Sequence, residues 1–198
     1  MLRELEKMCL QKEFNRVKAD LLMKQVDINE EFQSLDGWNV ILLECSVEGT
    51  NAPMAELLLE NGANPNRVFN DGESILWNLQ YDDGETAEEN EERLKIAQLL
   101  LEHGADPYID PDKTGECLFD YVTFSVFNDD YDELWEYRSR FYILLIAYGA
   151  QTEYCCPNIV GDFDKANMRQ YQFVRVPKGN GKYSGVITDG QGRDVAFV

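Results

Sequence analysis

Apolar and polar positions follow one another along this chain with a helical period, and the same arrangement returns several times. The segments AELLLENGANPN (55–66), AQLLLEHGADPY (97–108) and YILLIAYGAQTE (142–153) align residue for residue. In each, Leu and Ile at adjacent and i+3 positions make one apolar stripe, which predicts a short helix with a buried face. A Gly-Ala pair and a polar turn follow, and glycine supplies the left-handed residue that ends a helix. The glycines stand at Gly62, Gly104 and Gly149, spaced by 42 and 45 residues. A weaker copy, ADLLMKQVDINE (19–30), has Gln25 at the glycine position.

A second motif recurs between these copies, as DGWNVILLEC (36–45), DGESILWNLQ (71–80) and TGECLFDYVT (114–123). Each reads glycine, a variable residue, a small polar residue and an apolar helix start. Asn39 and Ser74 are placed to cap the helices that follow, and Cys117 holds the same place with a poorer cap. The unit is therefore turn, helix, loop, helix, turn. Ahead of it, Leu2, Leu5, Met8 and Cys9 form one stripe, and Phe14, Val17, Leu21 and Leu22 form the next. They predict an N-terminal capping helix pair over residues 1–30. From Tyr171 the chain reads YQFVRVP, KGNGK, YSGVITD, GQGR, DVAFV. Alternating β-branched and aromatic residues between Gly-rich turns predict two hairpins or a three-stranded meander. A sheet this small is marginal alone, so it is expected to pack on the last repeat, with 154–170 as the connection.

The linked motifs resemble ankyrin repeats, on the LLLExGAxPN ending and the DGxSxL opening, over residues 10–153. The resemblance implies a mainly α fold, an ankyrin-repeat solenoid of about four helix pairs with projecting β-turn fingers, here followed by a small C-terminal β-meander. It also implies protein binding without catalysis. On the family pattern the fingers place Leu35, Asp36 and Trp38, then Asn70, Asp71 and Glu73, then Lys113, Thr114 and Glu116 on the partner-binding surface. Trp77 and Asp120 match the family's His position, which mostly braces the fingers. Family repeats run about 33 residues. The extra residues here fall between the two helices of each unit, as YDDGETAEENEE (81–92), FNDDYDELWEY (127–137) and a smaller excess, VEGTNAP (47–53). Stacked repeats set equivalent positions side by side, so the insertions are expected to build one enlarged edge. Glu44 stands where the family prefers a small apolar residue. Either the register shifts there or that helix is repacked.

Charge sharpens this division. The net charge is −19. Residues 1–30 carry six acids and six bases; residues 31–153 carry 27 acids and six bases; residues 154–198 carry four acids and six bases. The chain thus divides into a balanced cap (1–30), acidic repeats (31–153) and a linker with the meander (154–198). Such acidity argues against a nucleic-acid partner, whose phosphates need bases, and against an anionic membrane surface. The acids Asp82, Asp83, Glu88, Glu89, Glu91 and Glu92 crowd the first long insertion. Tyr81, Tyr131, Trp135 and Tyr137 sit among acids as interface anchors would, though Trp135 equally fits the second helix of its repeat. Two readings stand side by side: a solvated edge that keeps the chain soluble, and an electrostatic lure for a basic protein.

Catalytic chemistry finds little support. His103 is the one histidine, and at a helix end it favours the dipole. The five cysteines, Cys9, Cys45, Cys117, Cys155 and Cys156, form neither a CxxC metal pattern nor an even disulfide framework. They read as reduced thiols in a cytoplasmic protein. Asp110, Asp112, Thr114 and Gly115 imitate a calcium loop, but Tyr121 holds the place of its bidentate Glu. GNGKYSG (179–185) has neither the spacing nor the following helix of a phosphate loop. No stretch approaches a membrane span. The expected function is a non-catalytic interaction module without metal or cofactor, binding a basic protein through fingers, concave helices and acidic edge. Its narrower forms are an immunity-type inhibitor of a toxin and an intracellular adaptor or effector scaffold. In the alternative of a different class, the C-terminal β piece carries a separate activity. The sequence leaves the oligomeric state open.

Overall fold

A computed structural model describes residues 1–12, 14–68, 73–80, 86–109, 118–119, 121–122, 135–148, 150, 172–179, 182–188 and 194–197. The chain forms two compact units, one of residues 1–79 and 83–105, the other of 80–82 and 106–198. Helices dominate the described residues, joined by two small antiparallel sheets.

The first unit opens with α1 (Leu2–Leu10), which buries Leu5, Met8 and Cys9 together with Glu6. Helix α2 (Arg16–Met23) starts at Asn15, whose Oδ1 accepts the Lys18 N–H at 3.0 Å. This helix corrects the sequence reading. It buries Ala19 and Met23, whereas Phe14, Val17 and Leu21 of the expected stripe are exposed. A two-stranded hairpin follows, β1 (Phe32–Gln33) pairing antiparallel with β2 (Asn39–Val40).

Helix α3 (Leu42–Glu48) does not begin at Asn39, which lies in β2. Ile41 occupies the N-cap, and the Glu44 carboxylate accepts its N–H at 3.1 Å. This explains an acid at an otherwise apolar position: a buried Glu at N3 satisfies an orphan donor that Ile41 has no side chain to help. The residues 47–53 do not project. Gly49, Thr50 and Asn51 alone join α3 to α4 (Ala52–Glu60). A Cβ at Gly49 would meet the Cys9 carbonyl oxygen at 2.2 Å, so only glycine lets α1 approach this closely. Asn51 seals the junction. Its Nδ2 donates to the Met8 carbonyl at 2.9 Å, and its Oδ1 caps α4 by accepting the Met54 N–H at 3.2 Å. Helix α4 then buries Met54, Leu57 and Leu58, each such side chain contributing about 1.5–3 kcal/mol of transfer free energy.

Helix α5 (Ile75–Asn78) is one turn, capped by Ser74 as its position requires: Oγ accepts the Trp77 N–H at 3.1 Å. Buried Arg93 donates to the Asn78 carbonyl at its end, at 3.0 Å. Helix α6 (Ala87–Glu102) is long, and this corrects the reading of 81–92 as an inter-helix insertion over residues 87–92; residues 81–85 lie outside the described residues. Residues 87–92 are its first turns. Thr86 Oγ1 accepts the Glu89 N–H at 3.2 Å, and Glu88 and Glu89 lie where the helix dipole favours negative charge.

The helix ends α2, α4 and α6 share one turn. The side chains of Asp27, Asn64 and Asp106 each accept an N–H two residues on, from Asn29 at 3.0 Å, Asn66 at 3.0 Å and Tyr108 at 2.8 Å. Asn29 then bridges to the next copy, donating to the Gly62 carbonyl at 3.0 Å and accepting the Asn64 N–H at 2.8 Å. Asn66 likewise donates to the Gly104 carbonyl at 2.9 Å. Gly62 and Gly104 have φ of +91° and +88°, which lets the Ala63 and Ala105 N–H groups reach back to Leu58 and Leu100. Ala150 makes the same bond to Leu145 at 3.0 Å.

In the second unit, α7 (Trp135–Ala147) lies against β4 (Lys182–Thr188) and β5 (Asp194–Phe197). These strands and β3 (Gln172–Gly179) form an antiparallel sheet in the order β3-β4-β5, within the segment where alternation predicts strands. Trp135 and Tyr137, counted above with an insertion, belong to α7. Tyr137 is buried and its ring lies 6.2 Å from that of Phe141, so it serves the core. Phe119 stacks on Tyr142 at 5.6 Å and meets Tyr108 edge-on at 6.0 Å.

Candidate functional site

The hairpin between β1 and β2 presents three of the residues expected to touch a partner. Its turn closes locally. The Ser34 N–H donates to the Trp38 carbonyl at 2.7 Å, the Trp38 N–H to Ser34 Oγ at 3.1 Å, and the Gly37 N–H to the Ser34 carbonyl at 3.1 Å. Gly37 takes the left-handed conformation that the turn needs, at φ +91°.

The turn is also tethered from beneath. Glu6 of α1 is fully buried, and its Oε1 accepts the Leu35 N–H at 2.6 Å. Its Oε2 accepts from Arg3 at 2.9 Å. A buried carboxylate satisfied on both oxygens makes strong charge-assisted bonds; losing Arg3 leaves its charge uncompensated, and losing the Leu35 N–H leaves an oxygen without its donor. The backbone at the tip is therefore fixed while its side chains face outward: Leu35 is 56% exposed and Trp38 74%. Asp36 is exposed beside them. Glu48 lies close enough to Asp36 and Glu6 to feel both. Partial burial, then those two acids, raise its carboxyl above the usual range.

The acidic residues form a separate element. Glu88, Glu89, Glu91 and Glu92 occupy the first two turns of α6, with Glu88 and Glu91 exposed. Lys12, just beyond α1, pairs with Glu89 at 3.2 Å, and Lys95 lies 4.0 Å from Glu92. Glu73 is half-buried ahead of α5. Asn70, Asp71, Asp82, Asp83, Lys113, Thr114 and Glu116 lie outside the described residues, as do Tyr81, Asp110, Asp112, Asp120, Tyr131, Cys117, Cys155 and Cys156. The joint edge expected of 81–92 and 127–137 likewise falls largely outside them.

Burial pushes the Cys45 thiol up to about 12 and the Cys9 thiol well above its ordinary value. His103 caps α6: ring Nδ1 lies 2.9 Å from the Leu99 carbonyl, so that nitrogen carries the proton. Among the described residues no group of His, Cys, Asp and Glu is arranged to hold a metal, and no helix is long and apolar enough to cross a membrane. What the tip offers is apolar area on a rigid mount. Sequence reasoning missed the mount. The signal was faint: Glu6 sits within the apolar stripe of α1, between Leu5 and Met8.

No family model and no curated protein matches the chain.

Proposed function

We propose that the chain is a non-catalytic protein-binding module of the ankyrin type, which engages a basic protein through the Leu35–Trp38 tip and the acidic start of α6. The observation that carries this reading is the tethered tip. A backbone already fixed by a buried carboxylate loses little conformational entropy on binding, so its outward side chains meet a partner from a set position. Aromatic anchors so mounted make hot spots. The repeated helix-end turns and their Asn bridges support the solenoid part of the reading. The acids supply long-range attraction, which raises association rates with basic partners. An immunity-type inhibitor of a basic toxin is its narrower form.

The test is quantitative capture on immobilised full-length chain, comparing wild type with Leu35→Ala/Trp38→Ala. Proteins retained by wild type should be basic, should elute as salt rises, and should fall at least about tenfold in the double variant, the loss of one hot spot. Retention unchanged in that variant overturns the tip as the binding surface. Neutralising Glu88, Glu89, Glu91 and Glu92 with no effect on capture reduces that segment to a solvated face.

A further inference from the structure

The turn that ends α4 carries a dipeptide with chemistry of its own, Asn61-Gly62. In an asparagine followed by glycine the backbone amide can attack the preceding side chain, because glycine has no Cβ to hinder the approach. Both residues are exposed. The equivalent place in α6 holds His103-Gly104, and an imidazole has no carbonyl carbon to attack. The turn does not require asparagine for its geometry. Asn61 Nδ2 donates to the Leu57 carbonyl at 2.8 Å, and His103 Nδ1 makes the same bond to Leu99 at 2.9 Å.

The closed turn opposes the reaction. The Gly62 N–H donates to the Leu59 carbonyl at 3.0 Å, and the Asn61 amide is engaged with Leu57. At ψ 12° the Gly62 nitrogen nearly eclipses the backbone nitrogen of Asn61, whereas ring closure needs it over Cβ. All of these are properties of the last turn of α4, and helix ends open locally at low cost. We infer that Asn61-Gly62 is a one-way modification site, where opening of that turn lets water convert Asn61 to aspartate and isoaspartate and so unlocks the bridge to α2. The Gly62 nitrogen bonds to Asn61 Cγ, the Cγ–Nδ2 bond breaks, and the amide proton leaves with Nδ2 as ammonia. Water then opens the cyclic imide at either carbonyl carbon. Neither product re-forms the turn. A carboxylate has no N–H for the Leu57 carbonyl, and it puts negative charge where the helix dipole disfavours it. Isoaspartate also adds a backbone carbon ahead of Gly62, whose carbonyl accepts from Asn29 at 3.0 Å.

Peptide mapping of the full chain after prolonged incubation tests this. Asn61 lies in the tryptic fragment 25–67, apart from the other Asn-Gly pair, Asn180-Gly181, which is outside the described residues. Native chain should convert at Asn61 faster than at Asn66, which an arginine follows. It should convert at least about tenfold more slowly than chain held in urea, since two or more hydrogen bonds must open first. Asn29→Ala frees the Gly62 carbonyl and should speed conversion about fivefold, the opening that one hydrogen bond restrains. Asn61→His, which copies α6, should abolish conversion with circular dichroism unchanged. Leu35→Ala/Trp38→Ala should age like wild type, which keeps this inference apart from the binding role of the tip. The converted fraction, separated by anion exchange, should show faster hydrogen exchange at the Ala63 and Asn64 amides. No conversion at Asn61, equal rates in native chain and urea, a rate indifferent to Asn29→Ala, or unchanged exchange in the converted fraction overturns the inference.

Discussion

Helix α4 ends at Gly62 and α2 at Gln25, and the two turns satisfy the same carbonyl with different donors. Gly62, at φ +91°, lets the Ala63 N–H bond the Leu58 carbonyl at 3.0 Å. Gln25 does not enter the left-handed region, so the Val26 N–H turns to the Met23 carbonyl instead, at 3.3 Å. The Leu21 carbonyl, counterpart of Leu58, accepts the Gln25 side-chain amide at 2.9 Å. A side chain thus replaces a backbone donor that glycine would have freed. Downstream the turns coincide again at Asp27 and Asn64. The turn is specified by its carbonyls and its Asx residue, and glycine is one of two ways to finish it.

The same two helices differ most in burial, and this gives the largest expected effect. Leu58→Ala removes a completely buried side chain and should cost about 2–5 kcal/mol. Leu21→Ala at the equivalent, exposed position should stay within about 0.5 kcal/mol in dilute solution. Urea denaturation of both variants at low micromolar concentration measures the pair. Equal losses would mean that Leu21 is packed as its counterpart Leu58 is, and would remove the contrast in burial.

Next comes the turn itself. Gly62→Ala meets no atom within 4 Å but forces a Cβ into the left-handed region, and should cost about 1 kcal/mol. Gln25→Ala should lose about 0.5 kcal/mol with the amide bond, at the low end because it is exposed. Gln25→Gly should recover most of it, since Val26 can then reach Leu21 as Ala63 reaches Leu58. Hydrogen exchange of the Val26 amide reports the switch: its protection in Gln25→Gly should approach that of Ala63. A glycine variant as unstable as the alanine variant breaks the proposed equivalence of the two turns. Asn29→Ala should cost about 1 kcal/mol, since it removes the bonds to both Gly62 and Asn64. The Asn64 amide should then exchange faster while that of Asn66 does not.

The sequence carries these turns openly because they are local. Gly62, Gly104 and the Asx residues act within a few positions of their partners, so spacing alone locates them, and Gln25 falls at the glycine position by the same count. Two errors were also legible in principle. Thr86-Ala-Glu-Glu89 is a helix-start pattern, and it marks residues 87–92 as the beginning of α6. Glu44 at N3 marks the start of α3 in place of Asn39. Other features are not local. Apolar residues of a terminal helix and of an interior one look alike in sequence, so the stripe at Phe14, Val17 and Leu21 gives no sign of being exposed. The tether from Glu6 to Leu35 spans 29 residues and appears only when α1 lies under the hairpin.

Two carboxylates of the first unit give the smallest effect and the sharpest sign. Glu4 of α1 bonds Lys18 of α2 at 2.7 Å, and this bond holds its carboxyl below the usual range. Glu48 of α3 has its carboxyl raised by partial burial, then by Asp36 and Glu6. Linkage gives the two groups opposite pH slopes. With a lowered folded-state value, Glu4 contributes stability at neutral pH that is lost as the pH falls through the carboxylate range. With a raised value, Glu48 holds its proton more tightly folded than unfolded. Stability therefore falls as the pH rises through the same range, and the deficit persists at neutral pH. Glu4→Gln should melt below wild type at pH 7 and converge with it in acid. Glu48→Gln should melt above wild type at pH 7 and also converge in acid, by a few tenths of a kcal/mol, about what a solvent-screened group allows. Asp36→Asn should shift Glu48 part of the way, because Asp36 is the second cause and not the first. Melting curves of the three variants from pH 4 to pH 7 decide the matter. Parallel slopes for Glu4→Gln and Glu48→Gln would show that the acids act through net charge alone. Opposite slopes tie each carboxylate to its own surroundings, Lys18 for one and the underside of the hairpin tip for the other.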